Sequence, residues 1–269
     1  MMKYTIGFIG CGNMGSAMIG GIVNAGLVNR NAIYVSDLVD ASLARIKNEY
    51  GVNAISDNCM VAEKSDILVL SVKPQFYASL INEIKDHVKS DVIIVAIAAG
   101  QSIQKVRELF GWEIKVAKVM PNTPALVQEG MAAIAPSTNM NQAEIETIST
   151  IFNSFGKSEI VAEHLMDAVT AVSGSSPAYV YMFIEAMADA AVMEGMPRAQ
   201  AYKFAAQSVL GSAKMVLESG KHPGELKDMV CSPGGTTIAA VAKLEETGFR
   251  SSVIQAMKAC VEQSRKMSK

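Results

Sequence analysis

Three glycines near the start of the chain have the spacing of a dinucleotide-binding turn, G-x-G-x-x-G. In such a turn the first glycine permits a tight bend, the second lets the backbone approach a pyrophosphate, and the third allows close packing of a helix on a sheet. Residues 4–9 before it are typical of a buried strand, and residues 13–26 after it have the apolar spacing of a helix. A pyrophosphate would therefore lie at a helix N-terminus, whereas a purely structural glycine turn is the alternative. The predicted contacts are Gly10, Gly12, Asn13, Met14 and Gly15.

Two residues further along bear on the choice between NAD and NADP. Asp37 follows Gly15 by about 20 residues, near the end of the second predicted strand, where a carboxylate would bond a free ribose 2′-OH and repel a 2′-phosphate. Ser36 could bond either group, and neither Arg30 nor Arg45 is obviously placed to meet a phosphate. Asp37 could instead face solvent or cap the following helix. The residues alone leave the coenzyme open.

Strands and helices alternate through the first half of the chain. Strands are predicted at 4–9, 32–36, 66–72, 92–97 and 114–120, with helices at 13–26, 41–50, 76–88 and 103–110. This alternation predicts an α/β fold with a doubly wound, Rossmann-type parallel sheet that helices cover on both faces. The glycine-rich turn opens the first βα unit of that sheet.

Beyond about residue 160, alanine and methionine become more frequent and the apolar periodicity becomes helical. Helices are predicted from Ser176, over 198–219, and on both sides of Gly234-Gly235. We therefore predict a dinucleotide-binding domain at 1–162 and an all-helical substrate and dimerisation domain at 163–269. Because these helices have no sheet to cover their second face, a homodimer, or a higher oligomer built from dimers, is expected through them. A self-contained helical bundle is the alternative.

Composition excludes several classes of protein. The 269 residues are 50% apolar and 19% charged, with a mean hydropathy of +0.23, which excludes a disordered chain. A net charge of −2 creates no field for a polyanion, so nucleic acid is not an expected partner. Four cysteines without a C-x-x-C pair predict neither a disulfide framework nor a metal site, and they suit a reducing cytoplasm. No membrane span is expected, because the longest apolar run, 92–99, is shorter than roughly 18 residues.

The uncharged stretch between Lys3 and Arg30 could pass for an export signal that ends near Cys11. Its seven glycines argue against this alternative, because an apolar export helix tolerates few such breaks. The expected location is therefore the cytoplasm.

Four segments resemble motifs of the pyrroline-5-carboxylate reductases, the enzymes of the last step of proline synthesis. The most specific is 228–241, DMVCSPGGTTIAAV, which is similar to the C-terminal signature of that family nearly residue for residue. Segments 71–75 (SVKPQ), 119–124 (VMPNTP) and 167–179 (DAVTAVSGSSPAY) are similar to its other motifs, and the resemblance covers essentially the whole chain. Ser176 stands where many members carry glycine, and Asp37-Leu38 lacks the basic residue that some members use for a 2′-phosphate.

The resemblance implies reduction of L-1-pyrroline-5-carboxylate to L-proline, a small-molecule reaction that uses NADPH, with NADH as the alternative. It implies that Thr237 is the catalytic residue, which hydrogen-bonds the imine nitrogen, and that Ser232 helps to shape the pocket. The implied substrate contacts are Ser232, Gly234, Gly235, Thr236 and Thr237. The implied contacts of the nicotinamide half of the coenzyme are Val72, Lys73, Pro74, Ala98, Asn122 and Thr123. A plain helix-capping turn at 232–235 and a solvated Lys73 are the alternatives.

Two other functions compete with this interpretation. A β-hydroxyacid dehydrogenase combines a similar first domain with helices, but it depends on a lysine in the first long helix of its second domain, and residues 173–194 contain no lysine. A nucleotide-sensing protein without turnover would not need a second anion site such as the turn at 232–237. We therefore predict a cytoplasmic imine reductase.

Overall fold

The computed structural model describes residues 2–268, which divide into two compact units. One unit extends to Ser175 and includes the segment from Cys260 onward, and the other is Ser176–Ala259. The domain boundary predicted at residues 162 and 163 stays a prediction, because compact packing alone does not define where a family domain begins. Within residues 2–268 no helix combines the length and apolarity that crossing a bilayer requires.

The first unit is built on a single sheet of eight strands. They are β1 (Ile6–Ile9), β2 (Ile33–Ser36), β3 (Asn53–Ala54), β4 (Ile67–Leu70), β5 (Ile93–Ala96), β6 (Lys115–Met120), β7 (Gly130–Pro136) and β8 (Gly156–Ile160). Their order across the sheet is β3-β2-β1-β4-β5-β6-β7-β8, and β1 to β6 are parallel. This arrangement confirms the predicted doubly wound, Rossmann-type fold.

The far edge of the sheet departs from the predicted strand list. The sequence does not predict β3, β7 or β8. β7 pairs with β6 in the antiparallel sense, whereas β8 is parallel to β7. The physical reason is the connection: only nine residues, 121–129, which include the short turn Thr123–Val127, lie between β6 and β7. A parallel neighbour would need a longer crossover.

Helices, short turns and loops connect the strands and make up the rest of the described chain. They are α1 (Asn13–Asn24), α2 (Asp40–Tyr50), α3 (Asn58–Lys64), α4 (Tyr77–Ile84), α5 (Ile103–Phe110), α6 (Gln142–Asn153), α7 (Met166–Val169), α8 (Ser176–Met193), α9 (Arg198–Ser219), α10 (Pro223–Val230), α11 (Thr236–Glu246) and α12 (Phe249–Ser268). A wide π-type turn, Thr170–Gly174, follows α7. The sequence does not predict α3, whose first residue, Asn58, lines a cavity at the end of the sheet.

Alternate residues of each buried strand enter the two cores on opposite faces of the sheet. In β4, Ile67 and Val69 belong to the core that α1, α2 and α6 cover, whereas Leu68 and Leu70 belong to the core under α3, α4 and α5. Because both faces are covered, the central strands are apolar without alternation. The carboxyl ends of β1 and β4 lie side by side at the point where the chain crosses from one half of the sheet to the other, which is where open α/β sheets bind ligands.

The second unit contains α8 to α11 and the first part of α12. Helices α8 and α9 pack closely, with the small side chains of Ala188, Ala201 and Ala205 buried. Many large apolar side chains of this unit remain exposed, including Met182, Phe204, Leu210, Leu217, Met229 and Val230. The all-helical character predicted for this part of the chain is confirmed.

Candidate functional site

The glycine-rich turn lies between β1 and α1, and each of its three glycines has a different reason to be glycine. Gly10 has a φ of +97°, and a Cβ there would lie 2.7 Å from the Ser71 carbonyl oxygen. A Cβ on Gly15 would lie 2.5 Å from the Gly10 carbonyl oxygen, so Gly15 permits the close packing of α1 on the turn. Gly12 faces open space, with no neighbour within 4 Å of an added Cβ among the described residues. The turn thus leaves room for a ligand at Gly12.

The N-terminus of α1 is open toward that space. Gly12 occupies the N-cap position, where no described side chain caps the helix, and the first turn carries no carboxylate. Asn13 is exposed and Met14 is half-buried. Free N–H groups and the positive end of the helix dipole therefore face the open side of the turn.

Asp37 braces the glycine-rich turn from the end of β2. One carboxylate oxygen accepts a hydrogen bond from the Cys11 N–H at 2.7 Å, and the other accepts from the Val39 N–H at 2.9 Å. Burial, together with the charge of Asp37 and its hydrogen bond, raises the pKa of the Cys11 thiol to about 12. Arg45 donates to the Ser16 hydroxyl at 2.8 Å behind the turn. Asp37 thus holds the turn in shape with a carboxylate that already has two backbone partners.

A cavity of about 420 Å³ opens in front of the turn at the carboxyl ends of the strands. Five of the residues predicted to contact the coenzyme line it: Gly10, Gly12, Asp37, Val72 and Lys73. Lys73 is exposed and is the one cation among the described residues that line the cavity.

Several lining residues were missed by sequence analysis. They are Ile9, Leu38, Val39, Asn58, Ser71, Phe76, Ser79, Leu80 and Glu83. Asn58 gave no signal because the short helix α3 was not predicted. Leu80 and Glu83 fall within the predicted helix 76–88, but its sequence does not tell which side faces a cavity.

The other predicted coenzyme contacts lie outside the cavity lining. Ser36, at the end of β2, is buried and donates to the Asn58 side-chain oxygen at 2.7 Å. Pro74 begins a short turn, and Thr123 is exposed at the start of the turn after β6. The Ala98 N–H donates to the Tyr77 hydroxyl at 3.2 Å.

Asn122 connects three segments of the first unit. Its side-chain oxygen accepts from the Met131 N–H at 2.8 Å, and its amide nitrogen donates to the backbone and hydroxyl oxygens of Ser173 at 3.2 Å. The turn after β6 is therefore tied both to β7 and to the π-type turn 170–174.

In the second unit, the predicted substrate residues form a tight turn that leads into α11. The Gly235 N–H donates to the Ser232 carbonyl at 3.0 Å, and Gly234 between them has a φ of +66°. A Cβ on Gly235 would meet the Ser232 hydroxyl oxygen at 2.3 Å. Gly235 is the N-cap of α11, and no described side chain caps this end either. Thr236 is exposed and Thr237 is half-buried in the first turn, so a hydroxyl lies beside free N–H groups.

Comparison with known proteins gives matches over the whole chain. Residues 163–267 match the family model described as pyrroline-5-carboxylate reductase dimerisation, and residues 5–100 match the model described as NADP oxidoreductase coenzyme F420-dependent. A curated pyrroline-5-carboxylate reductase of Escherichia coli (strain K12) is 50% identical over 268 residues, covering 100% of both chains.

Solved structures agree with these matches. The pyrroline carboxylate reductase of Plasmodium falciparum, solved with NADP bound, has a TM-score of 0.91 and 36% identity over 100% of both chains. The pyrroline-5-carboxylate reductase of Coxiella burnetii has a TM-score of 0.93 and 30% identity, again over 100% of both chains. The chain belongs to the pyrroline-5-carboxylate reductase family.

Proposed function

We propose that this chain reduces L-1-pyrroline-5-carboxylate to L-proline with NADPH, the last step of proline synthesis. The observation that carries the proposal is the full-length match, at 50% identity, to a reductase named for that substrate. The two glycine turns support it, since each leads into an uncapped helix N-terminus. They provide N–H donors for the two anions that the reaction requires, the coenzyme diphosphate and the substrate carboxylate.

The residues around the first turn fit a dinucleotide. The open side of Gly12 leaves room for the diphosphate against α1, and the cavity beside it is lined by the apolar side chains of Leu38, Val39 and Phe76, which suit an adenine ring. NADPH is the proposed coenzyme because the Plasmodium relative is described with NADP bound. NADH is the alternative, which the Asp37 carboxylate favours.

We assign the contacts along the coenzyme in three groups. Gly10, Gly12, Asn13, Met14 and Gly15 would hold the diphosphate, whereas Ser36 and Asp37 would lie near the ribose of adenosine. Val72, Lys73, Pro74, Ala98, Asn122 and Thr123 would lie toward the nicotinamide half.

The turn at 232–237 is the proposed substrate-binding site. The N–H groups at the start of α11 would hold the substrate carboxylate, and the residues that would shape the site are Ser232, Gly234, Gly235 and Thr236. Thr237 would accept a hydrogen bond from the protonated ring nitrogen through its hydroxyl oxygen. Together with the carboxylate contacts, this hydrogen bond would fix which face of the ring is presented to the hydride donor.

The chemistry then depends mainly on orientation. When bound, NADPH supplies a hydride from its nicotinamide ring to the imine carbon. The protonated imine is already electrophilic, so the chain's own residues chiefly hold the ring in one position. Thr237 retains the proton on the ring nitrogen, and the α11 N–H groups keep the carboxylate in place.

A homodimer, or a higher oligomer built from dimers, through the C-terminal helices is proposed as the assembled form. The family model that matches residues 163–267 is named for dimerisation. Leu217 of α9 is 84% exposed and Phe204 is 67% exposed, which are unusual values for large apolar side chains on a surface that stays in water.

A cytoplasmic location is proposed on the state of the cysteines. Cys11, Cys59, Cys231 and Cys260 are all free thiols. Free thiols suit a reducing compartment.

The direct test uses purified protein with freshly prepared L-1-pyrroline-5-carboxylate and either NADPH or NADH. Absorbance of the reduced coenzyme at about 340 nm should fall, and chromatography should detect L-proline in equal amount. Coenzyme binding without turnover would instead favour a nucleotide-sensing protein. Oxidation of 3-hydroxy acids with NADP⁺ or NAD⁺, in a protein that does not reduce the imine, would favour a β-hydroxyacid dehydrogenase.

A further inference from the structure

A chain of hydrogen bonds crosses the wall of the coenzyme cavity between β2 and α4. The Ser36 hydroxyl donates to the Asn58 side-chain oxygen at 2.7 Å. The Asn58 amide nitrogen donates to both carboxylate oxygens of Glu83 at 3.2 Å. Asn58 and Glu83 both line the cavity, whereas Ser36 is buried behind it. Glu83 thus presents a negative charge at the wall, connected through one amide to the end of β2.

This wall is the part of the cavity nearest the expected position of the adenosine ribose. In folds of this type, the residues at the end of the second strand meet the ribose 2′ substituent. Ser36 is the last residue of β2, and Asp37 follows it. The Asp37 carboxylate already accepts from the N–H groups of Cys11 and Val39. Among the described residues lining the cavity, Glu83 is the other carboxylate, and the structure gives it the Asn58 amide as its partner.

We propose that Glu83 is a specificity-determining residue that limits the preference for the 2′-phosphorylated coenzyme. The inference rests on the proposed function and concerns how its coenzyme site distinguishes NADPH from NADH. A 2′-phosphate carries close to two negative charges at neutral pH, so a carboxylate in the same wall opposes it and leaves a 2′-hydroxyl unaffected. By accepting from Asn58, Glu83 also occupies an amide donor that could otherwise turn toward the phosphate.

The expected effect is modest because Glu83 is exposed and water and salt screen its charge. In Glu83→Gln, the dissociation constant for NADPH should fall roughly three- to tenfold relative to that for NADH, as removal of one screened charge implies. The glutamine side chain keeps an acceptor for the Asn58 amide, so it removes charge with little loss of geometry. The gain should be larger at about 0.02 M salt than at 0.15 M, where the Debye length is about 8 Å.

The matched control is Glu146→Gln in α6. Glu146 is also exposed and also accepts from a side-chain amide, that of Gln142 at 2.9 Å, but it does not line the cavity. The Glu146→Gln substitution changes the net charge as much as Glu83→Gln does, but at a position outside the cavity lining. The ratio of the dissociation constants for NADPH and NADH in this variant should therefore equal that of the wild type. Adenosine 2′,5′-bisphosphate and AMP, titrated by calorimetry, should reproduce the selectivity shift without any turnover.

The outcomes separate this inference from the reductase proposal. A shift toward NADPH in Glu83→Gln but not in Glu146→Gln, larger at low salt, supports it. Equal changes for both coenzymes, or no change in Glu83→Gln, would overturn it, even if the wild-type enzyme reduces the imine. If the wild type binds both coenzymes and reduces no imine, the reductase proposal fails, and the binding ratios still decide the role of Glu83.

Discussion

Gly12 and Gly15 lie three residues apart in one turn, yet the structure gives them opposite constraints. An added side chain at Gly12 would enter open space, whereas one at Gly15 would collide with the Gly10 carbonyl oxygen. Gly12 therefore leaves space for a ligand, whereas Gly15 is required by the packing of α1.

This difference yields a paired prediction. Gly12→Val should fold with nearly unchanged thermal stability and lose coenzyme binding, because its methyl groups fill the space proposed for the diphosphate. Gly15→Val should lower the melting temperature, because a backbone carbonyl cannot move away cheaply. Thermal unfolding and titration of NADPH fluorescence measure both effects. Tight NADPH binding by Gly12→Val would contradict the diphosphate model.

Thr237 is the residue on which the proposed chemistry depends most. Thr237→Ala should lower kcat about 10- to 100-fold, because a hydrogen bond to a charged group contributes roughly 1.5–3 kcal/mol. The dissociation constant of NADPH should stay nearly the same, since the nucleotide fingerprint is in the other compact unit. Thr237→Ser keeps the hydroxyl and serves as the control, which should retain most of the activity. Equal loss of turnover and coenzyme binding in Thr237→Ala would argue against the assigned role.

At the scale of elements, α4 packs on the sheet through buried apolar side chains, and one buried hydroxyl adds hydrogen bonds to that contact. Tyr77 is 1% exposed, donates to the Leu70 carbonyl at 2.7 Å and accepts from the Ala98 N–H at 3.2 Å. It therefore joins the helix to the ends of β4 and β5, beside the loop proposed to meet the nicotinamide. Burial raises the pKa of Tyr77 well above its ordinary value of 10.0.

Tyr77→Phe should lower the free energy of unfolding by about 1–3 kcal/mol at neutral pH, because it leaves a buried N–H and a buried carbonyl without this partner. The wild type should lose stability as pH rises above about 9, since the unfolded chain releases protons that folded Cys11, Tyr50 and Tyr77 retain. The pKa of Tyr50, like that of Cys11, is raised by burial to about 12. Urea unfolding at pH 8, 9 and 10.5 should show a shallower alkaline decline in Tyr77→Phe. An identical decline in both proteins would contradict the contribution of Tyr77.

At the scale of the whole molecule, the two compact units differ in how well their apolar side chains are covered. The sheet unit has two continuous buried cores, one on each face. The helical unit has few buried side chains and exposes large apolar residues on several helices, among them Met193, which is 84% exposed. Such a surface is typical of an element that is completed by another chain.

Light scattering should accordingly give a native mass of at least twice 28.6 kDa. Leu217→Glu should reduce the mass, because a charge is costly to bury in an apolar interface. Lys214→Glu on the same helix is the control, since Lys214 is exposed in an i,i+4 pair with Glu218 and should leave the mass unchanged. A wild-type monomer at micromolar concentration would contradict assembly through these helices.

Most of what indicates the function of this chain could be predicted from short segments of its sequence. The glycine spacing needs only a strand before it and a helix after it, so the turn at Gly10, the fold class and the motifs shared with a family could all be predicted without coordinates. Gly10 is required by its backbone conformation and Gly15 by a close contact. Glycine is the residue type expected at both kinds of position.

Only the tertiary structure shows the features that depend on contacts between distant segments of the chain. The two carboxylate oxygens of Asp37 accept hydrogen bonds from the N–H groups of Cys11 and Val39. Asn58 and Glu83 line the cavity from two helices, and no local sequence pattern shows which face of either helix points inward. The antiparallel β7 likewise depends on pairing with β6 across a short turn. Hydrogen bonds and pairings between distant segments have no signature in neighbouring residues, because they depend on where the chain returns in space.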